Sequence, residues 1–448
     1  MKFQIINVSD IEGFKLGNAE DLKAGTGCTV IISEEGALAG VDVRGGAPAT
    51  RETDLLKSEN TVQKINAVVI TGGSAFGLES ASGVMNYLDE KNIGLKASGI
   101  NVPIVCSASL FDLNVGSKFI RPDIEMGKKA VKNAYMNEFK SGNFGAGTGT
   151  TVGKIYGIER SMKTGLGTFA CQIDNLQIGA ITAVNAVGDI YDDNNKIIAG
   201  PLSEDKTEIL STIMAHKERI LGINNNSNAN IDISGNGQLE KSFLENDISE
   251  KNFLQNDFSE SENLEKNTLE NYNLEKENLE INNTQKDNND DSNNIKRANV
   301  LDKKIADEIL RIEGRNGEGI LPIPDNNKPN EIKILEGDSL FGDEDDMIFN
   351  TTISCLITNA KLTKVQANKL SSILHDAYAR AIKPVHSSLD GDTIFVMTTG
   401  KVEADFDSLA ALSTDILQYA IINSARNAEP AYGLKSASSF ENNRGKNE

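Results

Sequence analysis

The sequence predicts a layered α+β domain, and three observations carry that prediction. Runs rich in β-branched residues, above all Thr351–Thr358, read as buried strands, because branched side chains pack well on a pleated surface. Stretches such as 126–139 and 406–425 have helical apolar spacing. Between Gly165 and Gly200 short strands alternate with polar turns such as Asp192-Asp193-Asn194-Asn195, which is a meander. Strands and helices in two blocks, with meandering strands in the larger, fit layered α+β.

In chain order, Thr26–Ile32 and Ala37–Val43 predict a hairpin turned by Glu34-Glu35-Gly36. Arg44 to Thr50 is a Gly/Pro loop. Ala67–Ile70 is a buried strand that feeds Gly72-Gly73 and a helix over 76–89. A nucleophile elbow there would need glycine at 76, where Phe76 stands, so Ser74 is not that kind of nucleophile. The dinucleotide fingerprint fails on its glycine spacing. Close helix–strand packing and a wall of a substrate pocket both remain open for Gly73 and Ser74.

Residues 102–113 are apolar. The run Gly145–Lys154 looks like a phosphate loop, but Thr148 and Ile155 stand where glycine and a hydroxyl residue are needed, which argues against ATP. Its glycines suit a backbone that passes close to a reaction centre. Ser203–Leu221 is the next helix. After Thr351 a helix begins near Thr363, which has capping-box spacing to Gln366, with Val365, Leu370, Ile373, Leu374 and Ala377 as its apolar face. Asp390-Gly391-Asp392 then leads into a strand over 393–399.

Composition sets outer bounds. The net charge of −20 argues against nucleic acid or an anionic membrane surface as a main partner. About half of it is local: residues 231–295 hold 16 acidic and 5 basic side chains. That region lies in an Asn/Glu-rich stretch, 223–296, with a loose repeat of roughly ten residues (Phe243-Leu244-Glu245-Asn246, then Phe253-Leu254-Gln255-Asn256). So little apolar material does not offset ordering entropy, and a disordered insertion in a surface loop is expected. Residues 1–222 and 351–448 are then parts of one domain, joined through 297–350. Cys28, Cys106, Cys171 and Cys355 have no CxxC spacing, which indicates neither a zinc site nor a disulfide framework, and no metal or cofactor is expected. With no basic-then-apolar N-terminus and no 18-residue apolar run, a cytoplasmic protein is expected, with no membrane partner.

The chemistry centres on Asn350-Thr351. If that peptide bond breaks, Thr351 carries a free α-amine beside its own hydroxyl. The amine titrates at about 7.7–8.0, so it is a built-in base for a hydroxyl that is inert alone. On its own, Asn-Thr-Thr is also an ordinary strand start and Asp-Gly-Asp an ordinary turn. His386, near Ser387, Ser388 and Asp390, hints at a triad, but local clustering is not how triads assemble, and it is read as structural.

Five motifs in order change the weighting: Gly40–Pro48, Thr71–Glu79, Gly145–Lys154, Ala183–Asp189, and Asn350-Thr351 followed by Asp390-Gly391-Asp392. Together they resemble the DmpA-like aminopeptidases, the β-peptidyl and D-aminopeptidases that also include the nylon-oligomer hydrolases. The resemblance covers about 5–215 and 345–428. It implies an αββα sandwich of the N-terminal-nucleophile type and self-cleavage into 1–350 and 351–448. It also implies a homo-oligomer of processed heterodimers acting on small peptides or amides. By motif match Thr351 is the nucleophile and Asn185, with Lys154 nearby, serves the oxyanion. Asp390 and Asp392 match the carboxylates that orient the nucleophile in the nylon-oligomer branch, and Gly73, Ser74, Phe111 and Gly147 line the substrate site. A carboxylate holds the amine protonated, whereas Lys154 favours the free base.

Phe111 stands where the nylon-oligomer branch has tyrosine. The missing hydroxyl favours an aminopeptidase, in the resemblance's terms one for D- or β-amino-acid peptides, although threonine at 351 is the nylon-branch choice. An endo-acting nylon-oligomer type hydrolase is the alternative, followed by an ornithine acetyltransferase-like acyltransferase and an uncleaved scaffold.

Overall fold

The computed structural model describes residues 3–220 and 349–441. The expected insertion, with its repeat, and nearly all of the segment up to Asn350 lie outside the described residues. Ten strands form one hydrogen-bonded ladder. They are β1 (Phe3–Ile5), β2 (Lys15–Asp21), β3 (Thr26–Val43), β4 (Ala49–Arg51), β5 (Lys64–Thr71), β6 (Val105–Ser109), β7 (Leu166–Ile173), β8 (Leu176–Asn185), β9 (Thr351–Ala360) and β10 (Thr393–Val402). Their order is β1-β7-β8-β9-β10-β3-β5-β6-β4, with β2 also on β3. Only β9–β10 and β5–β6 run parallel within this ladder.

The hairpin expected over residues 26–43 is instead one long strand. Its register to β5 jumps from Ile32↔Ala67 to Ala37↔Ile65. Glu34-Glu35-Gly36 is therefore a wide bulge, with both glutamates exposed and Gly36 at φ +75°. Before the bulge β3 pairs with β2, and after it with β10.

This bend divides the ladder into two stacked halves. Ile31, Val68 and Ile70 from one half share a buried cluster with Ile181, Ile353, Cys355, Phe395 and Met397 from the other. Alternate residues face outward, as strand pleating requires. Val30, Ile32, Ala67 and Val69 pack under helices α1 (Ser80–Glu90) and α2 (Ile124–Tyr135). Ala180, Leu356, Ile394 and Val396 pack under α4 (Lys364–Ile373), α5 (His375–Ala381) and α6 (Phe406–Arg426). Helix, sheet, sheet, helix: these are the four layers of the expected sandwich.

Helix α3 (Thr212–Ile220) starts later than the expected Ser203. Ser203 Oγ instead accepts the N–H groups of Thr207 and Glu208 in a tight turn, and the helix begins where Asp189 accepts the N–H of Thr212 at 2.8 Å. The capping box is present: Thr363 accepts from Gln366 N–H, and Gln366 Oε1 from Thr363 N–H. The face it opens differs from the expected one. Val365 is 63% exposed, and Lys364 is buried in its stead, its ammonium donating to the carbonyls of Leu55, Asn60 and Val62. All four cysteines are buried free thiols.

Candidate active site

All ten residues of β9 are buried, so its start is fixed by the strands on either side. Asn185, the last residue of β8, sits opposite Thr351, and β10 enters in register at Ile353↔Thr393. Just before β10, Asp390 makes a parallel bridge to Asn350. The end of one strand and the turn before another thus converge on the Asn350–Thr351 peptide.

That peptide is held from the turn. Asn350 N–H donates to Leu389 O, and Gly391 N–H donates to the Asn350 carbonyl, both at 3.0 Å. Thr351 Oγ is hydrogen-bonded to the same carbonyl oxygen. The glycines make this approach feasible. A Cβ on Gly391 would lie 2.7 Å from Thr351 Oγ, and one on Gly45 would lie 2.2 Å from the Asp390 carbonyl. The loop 44–47 closes over the turn, with Ala47 N–H on Asp390 O at 2.7 Å and Arg44 N–H on Asp392 O at 2.9 Å.

The charges are buried and unevenly satisfied. Lys154 Nζ donates to Asn185 Oδ1, to the Asn185 carbonyl and to Asn350 Oδ1, at 2.9, 2.9 and 3.0 Å. Burial pushes its pKa down to about 7 against the opposing pull of Asp390 and Asp112. Asp390 is pushed up, chiefly by burial and then by Asp392, while Lys154 pulls it back. Its Oδ2 accepts Ser387 N–H at 2.7 Å, and its buried Oδ1 has no hydrogen-bond partner among the described residues. Asp392 is fully engaged: Oδ1 accepts Thr352 N–H at 2.7 Å, and Oδ2 accepts two donors from His386.

The structure therefore gathers Thr351, Asn350, Lys154, Asn185, Asp390 and Asp392 into one buried group. Asn185 accepts Thr151 N–H and the Lys154 ammonium through Oδ1, while its Nδ2 donates to the Phe111 carbonyl at 2.7 Å. Its amide thus organises these neighbours, while the Asn350 carbonyl accepts from the Gly391 N–H and from Thr351 Oγ. The Phe111 ring packs on Phe349, centroids 5.5 Å apart. Gly73 and Ser74 stand one step back. Both have positive φ, +82° and +55°, and Gly73 N–H donates to Asp112 beside Phe111. Gly147 is a packing glycine, since its Cβ would lie 2.0 Å from Leu166 N.

Sequence reasoning missed Gly391, although it lies between two flagged aspartates. It also missed Asp112 and Lys163, buried polar residues with no motif around them. Burial pushes Asp112 up to about 6 and Lys163 down to about 7. Asp112 ties Thr26 to Gly73, and Lys163 donates to the Gly147 carbonyl. His386, read as structural, contacts Asp392. Among the described residues no group of three His, Cys, Asp or Glu side chains is placed to hold a metal ion, and no helix is long and apolar enough to cross a membrane.

A four-layer sandwich of helix, sheet, sheet and helix is the arrangement of the N-terminal-nucleophile class of folds. Solved structures agree on the fold. The L-aminopeptidase D-Ala-esterase/amidase of Ochrobactrum anthropi, described as a variant of the Ntn hydrolase fold, superimposes with a TM-score of 0.53 at 13% identity, covering 98% of this chain and 92% of that one. A Burkholderia sp. β-aminopeptidase gives 0.50 at 12%, covering 97% and 92%. The sequence model of peptidase family S58 matches residues 7–229 and 266–438, and the chain belongs to that family, the DmpA-like group. An uncharacterized aminopeptidase of Mycobacterium leprae is 38% identical over 202 residues, 42% of this chain and 54% of that protein. The chain thus spans about half the length of the mycobacterial relatives it matches. The 6-aminohexanoate-oligomer endohydrolase of Kocuria sp. is 21% identical over 430 residues, 93% of this chain and 85% of that protein.

Proposed function

We propose that the chain is a self-cleaving amide hydrolase that uses Thr351 as an N-terminal nucleophile and removes N-terminal residues from small peptides. The observation that carries this reading is the contact of Thr351 Oγ with the Asn350 carbonyl, which also accepts the Gly391 N–H. In the first step Thr351 Oγ attacks the Asn350 carbonyl carbon. Lys154 in its neutral form, which a pKa near 7 populates, takes the hydroxyl proton and returns it to the departing nitrogen. The C–N bond breaks and an ester remains. Water then splits the ester into an Asn350 carboxylate and Thr351 with a free hydroxyl and a free α-amine.

The freed amine serves as base for the same hydroxyl on a substrate amide. The acyl group of the substrate takes the place of Asn350, and the Gly391 N–H faces its oxyanion. Loss of one such donor costs about 2.7–4 kcal/mol of barrier. Asp390, whose buried Oδ1 has no hydrogen-bond partner among the described residues, is the acceptor left for the new ammonium, and Lys154 offsets the proton affinity this confers. Small peptides are the substrates we favour, the aminopeptidase name of the mycobacterial relative being the support, and peptides of D- or β-amino acids are the first to try among them.

One observation favours an endo-acting second reading. The Phe111–Phe349 contact holds a residue upstream of the acyl residue, which an endo-acting hydrolase must accommodate.

Intact-mass analysis of purified wild type beside Thr351→Ala tests the proposal. Fragments that break at Asn350/Thr351 in the wild type, with an uncut mutant, are expected. A wild-type chain that stays whole for days would overturn it.

A further inference from the structure

We infer that His386 is a positioning residue for the nucleophile, acting through Asp392; this rests on the self-cleavage reading above. His386 binds one carboxylate oxygen twice. Its backbone N–H donates to Asp392 Oδ2 at 3.1 Å, and its ring Nδ1 meets the same oxygen at 2.8 Å. Against an ionised carboxylate that ring nitrogen carries the proton. The other oxygen, Oδ1, accepts the N–H of Thr352, the residue after the nucleophile, at 2.7 Å. A single rigid carboxylate therefore links the histidine to the main chain at the head of β9.

The double contact requires an unusual backbone. His386 has φ +58°, in the left-handed region that costs most L-residues energy. A strained conformation held in place beside the reacting bond is where such strain tends to serve function. The ring is also wedged from behind. It packs edge-on against His375 at 4.7 Å, and His375 packs in turn against Tyr378. The Tyr378 hydroxyl lies 2.8 Å from Ser354 Oγ and 3.2 Å from the Thr352 carbonyl, so this wall returns to β9 itself. With Asp392 fixed from both sides, the Thr352 N–H, and with it the main chain that carries the Thr351 side chain, is held in place at the head of β9.

The test follows self-cleavage of the full chain after in-vitro translation, sampled over time by intact mass. His386→Gly keeps the backbone conformation at no steric cost and removes the ring donor. His386→Asn tolerates left-handed φ and keeps a side-chain donor near the Nδ1 position. His386→Asp has the same shape and the same tolerance but cannot donate when ionised. Cleavage about ten- to a hundred-fold slower is expected for the Gly and Asp variants, on the scale of a misplacement of about 1 Å. The Asn variant is expected within about threefold of wild type. The Asp/Asn comparison decides alone if the Gly chain fails to fold by circular dichroism. Wild-type speed in the Gly or Asp variant, or an Asn variant as slow as either, would overturn the inference. An uncut wild type would overturn the self-cleavage reading instead, a separate result in the same experiment.

Discussion

Gly391 N–H and the Asn350 carbonyl oxygen stand 3.0 Å apart, so the turn that carries both aspartates also grips the bond before Thr351. Orientation of that carbonyl and polarisation of its oxygen come from one backbone donor. The same residue must lack a side chain, because a Cβ there would lie 2.7 Å from Thr351 Oγ and 2.9 Å from the Ala47 carbonyl.

Gly391→Ala is accordingly expected to displace the hydroxyl or the turn. At about 2.7 kcal/mol or more for a lost oxyanion donor, self-cleavage should slow by about a hundredfold. Intact mass over time reads the rate, and thermal unfolding beside Thr351→Ala checks that the chain still folds. Cleavage at the wild-type rate would remove Gly391 from the mechanism.

What the sequence revealed and what it hid divide along a physical line. Residues near one another in the chain, such as Asn350-Thr351 or Thr363 with Gln366, carry local patterns that can be read directly. The layered α+β class was legible because β-branched runs and helical spacing report burial, whereas the four-layer sandwich came with the family resemblance. The bulge in β3 was not, since Glu34-Glu35-Gly36 suits a turn and only pairing with β5 and β10 keeps the strand going. Lys364 was hidden for a related reason: three carbonyls from residues 55–62 satisfy its ammonium, and no periodicity announces that partner. The role of Asn185 needed the fold as well. Its position opposite Thr351 follows from the register, while its hydrogen bonds turn towards Lys154 and Phe111.

The buried lysines make stability depend on pH with a definite sign. Lys154 and Lys163 have folded pKa values lowered to about 7, whereas the unfolded chain titrates near 10.4. Between these values the unfolded chain binds more protons, so stability should rise as pH increases and the penalty for burying the charged form is removed. Each lysine contributes a slope of at most about 1.4 kcal/mol per pH unit. In a Thr351→Ala background that keeps one chain, Lys163→Met should flatten the slope between about pH 7.5 and about pH 9.5. Urea midpoints measure this. An unchanged slope would mean that Lys163 stays charged in the fold.

The contact between Phe111 and Phe349 separates the two activity readings. Phe349 precedes the acyl residue of the proposed cut, so under that proposal its ring would mark the subsite a longer substrate occupies upstream. An aromatic pair of this kind contributes about 0.5–1.5 kcal/mol beyond its burial. Phe111→Ala should therefore slow self-cleavage by about two- to twelve-fold. In an exo-acting enzyme nothing precedes the acyl residue of a substrate, and a dipeptide amide should be turned over by Phe111→Ala with little change in kcat/KM. In an endo-acting enzyme, peptides with an aromatic residue before the acyl residue should lose about as much as self-cleavage does, while those with alanine there should lose little. Comparing the two peptide series in wild type and Phe111→Ala assigns the subsite. Equal losses in both series would mean that Phe111 acts through its carbonyl and Asn185 instead of through its ring.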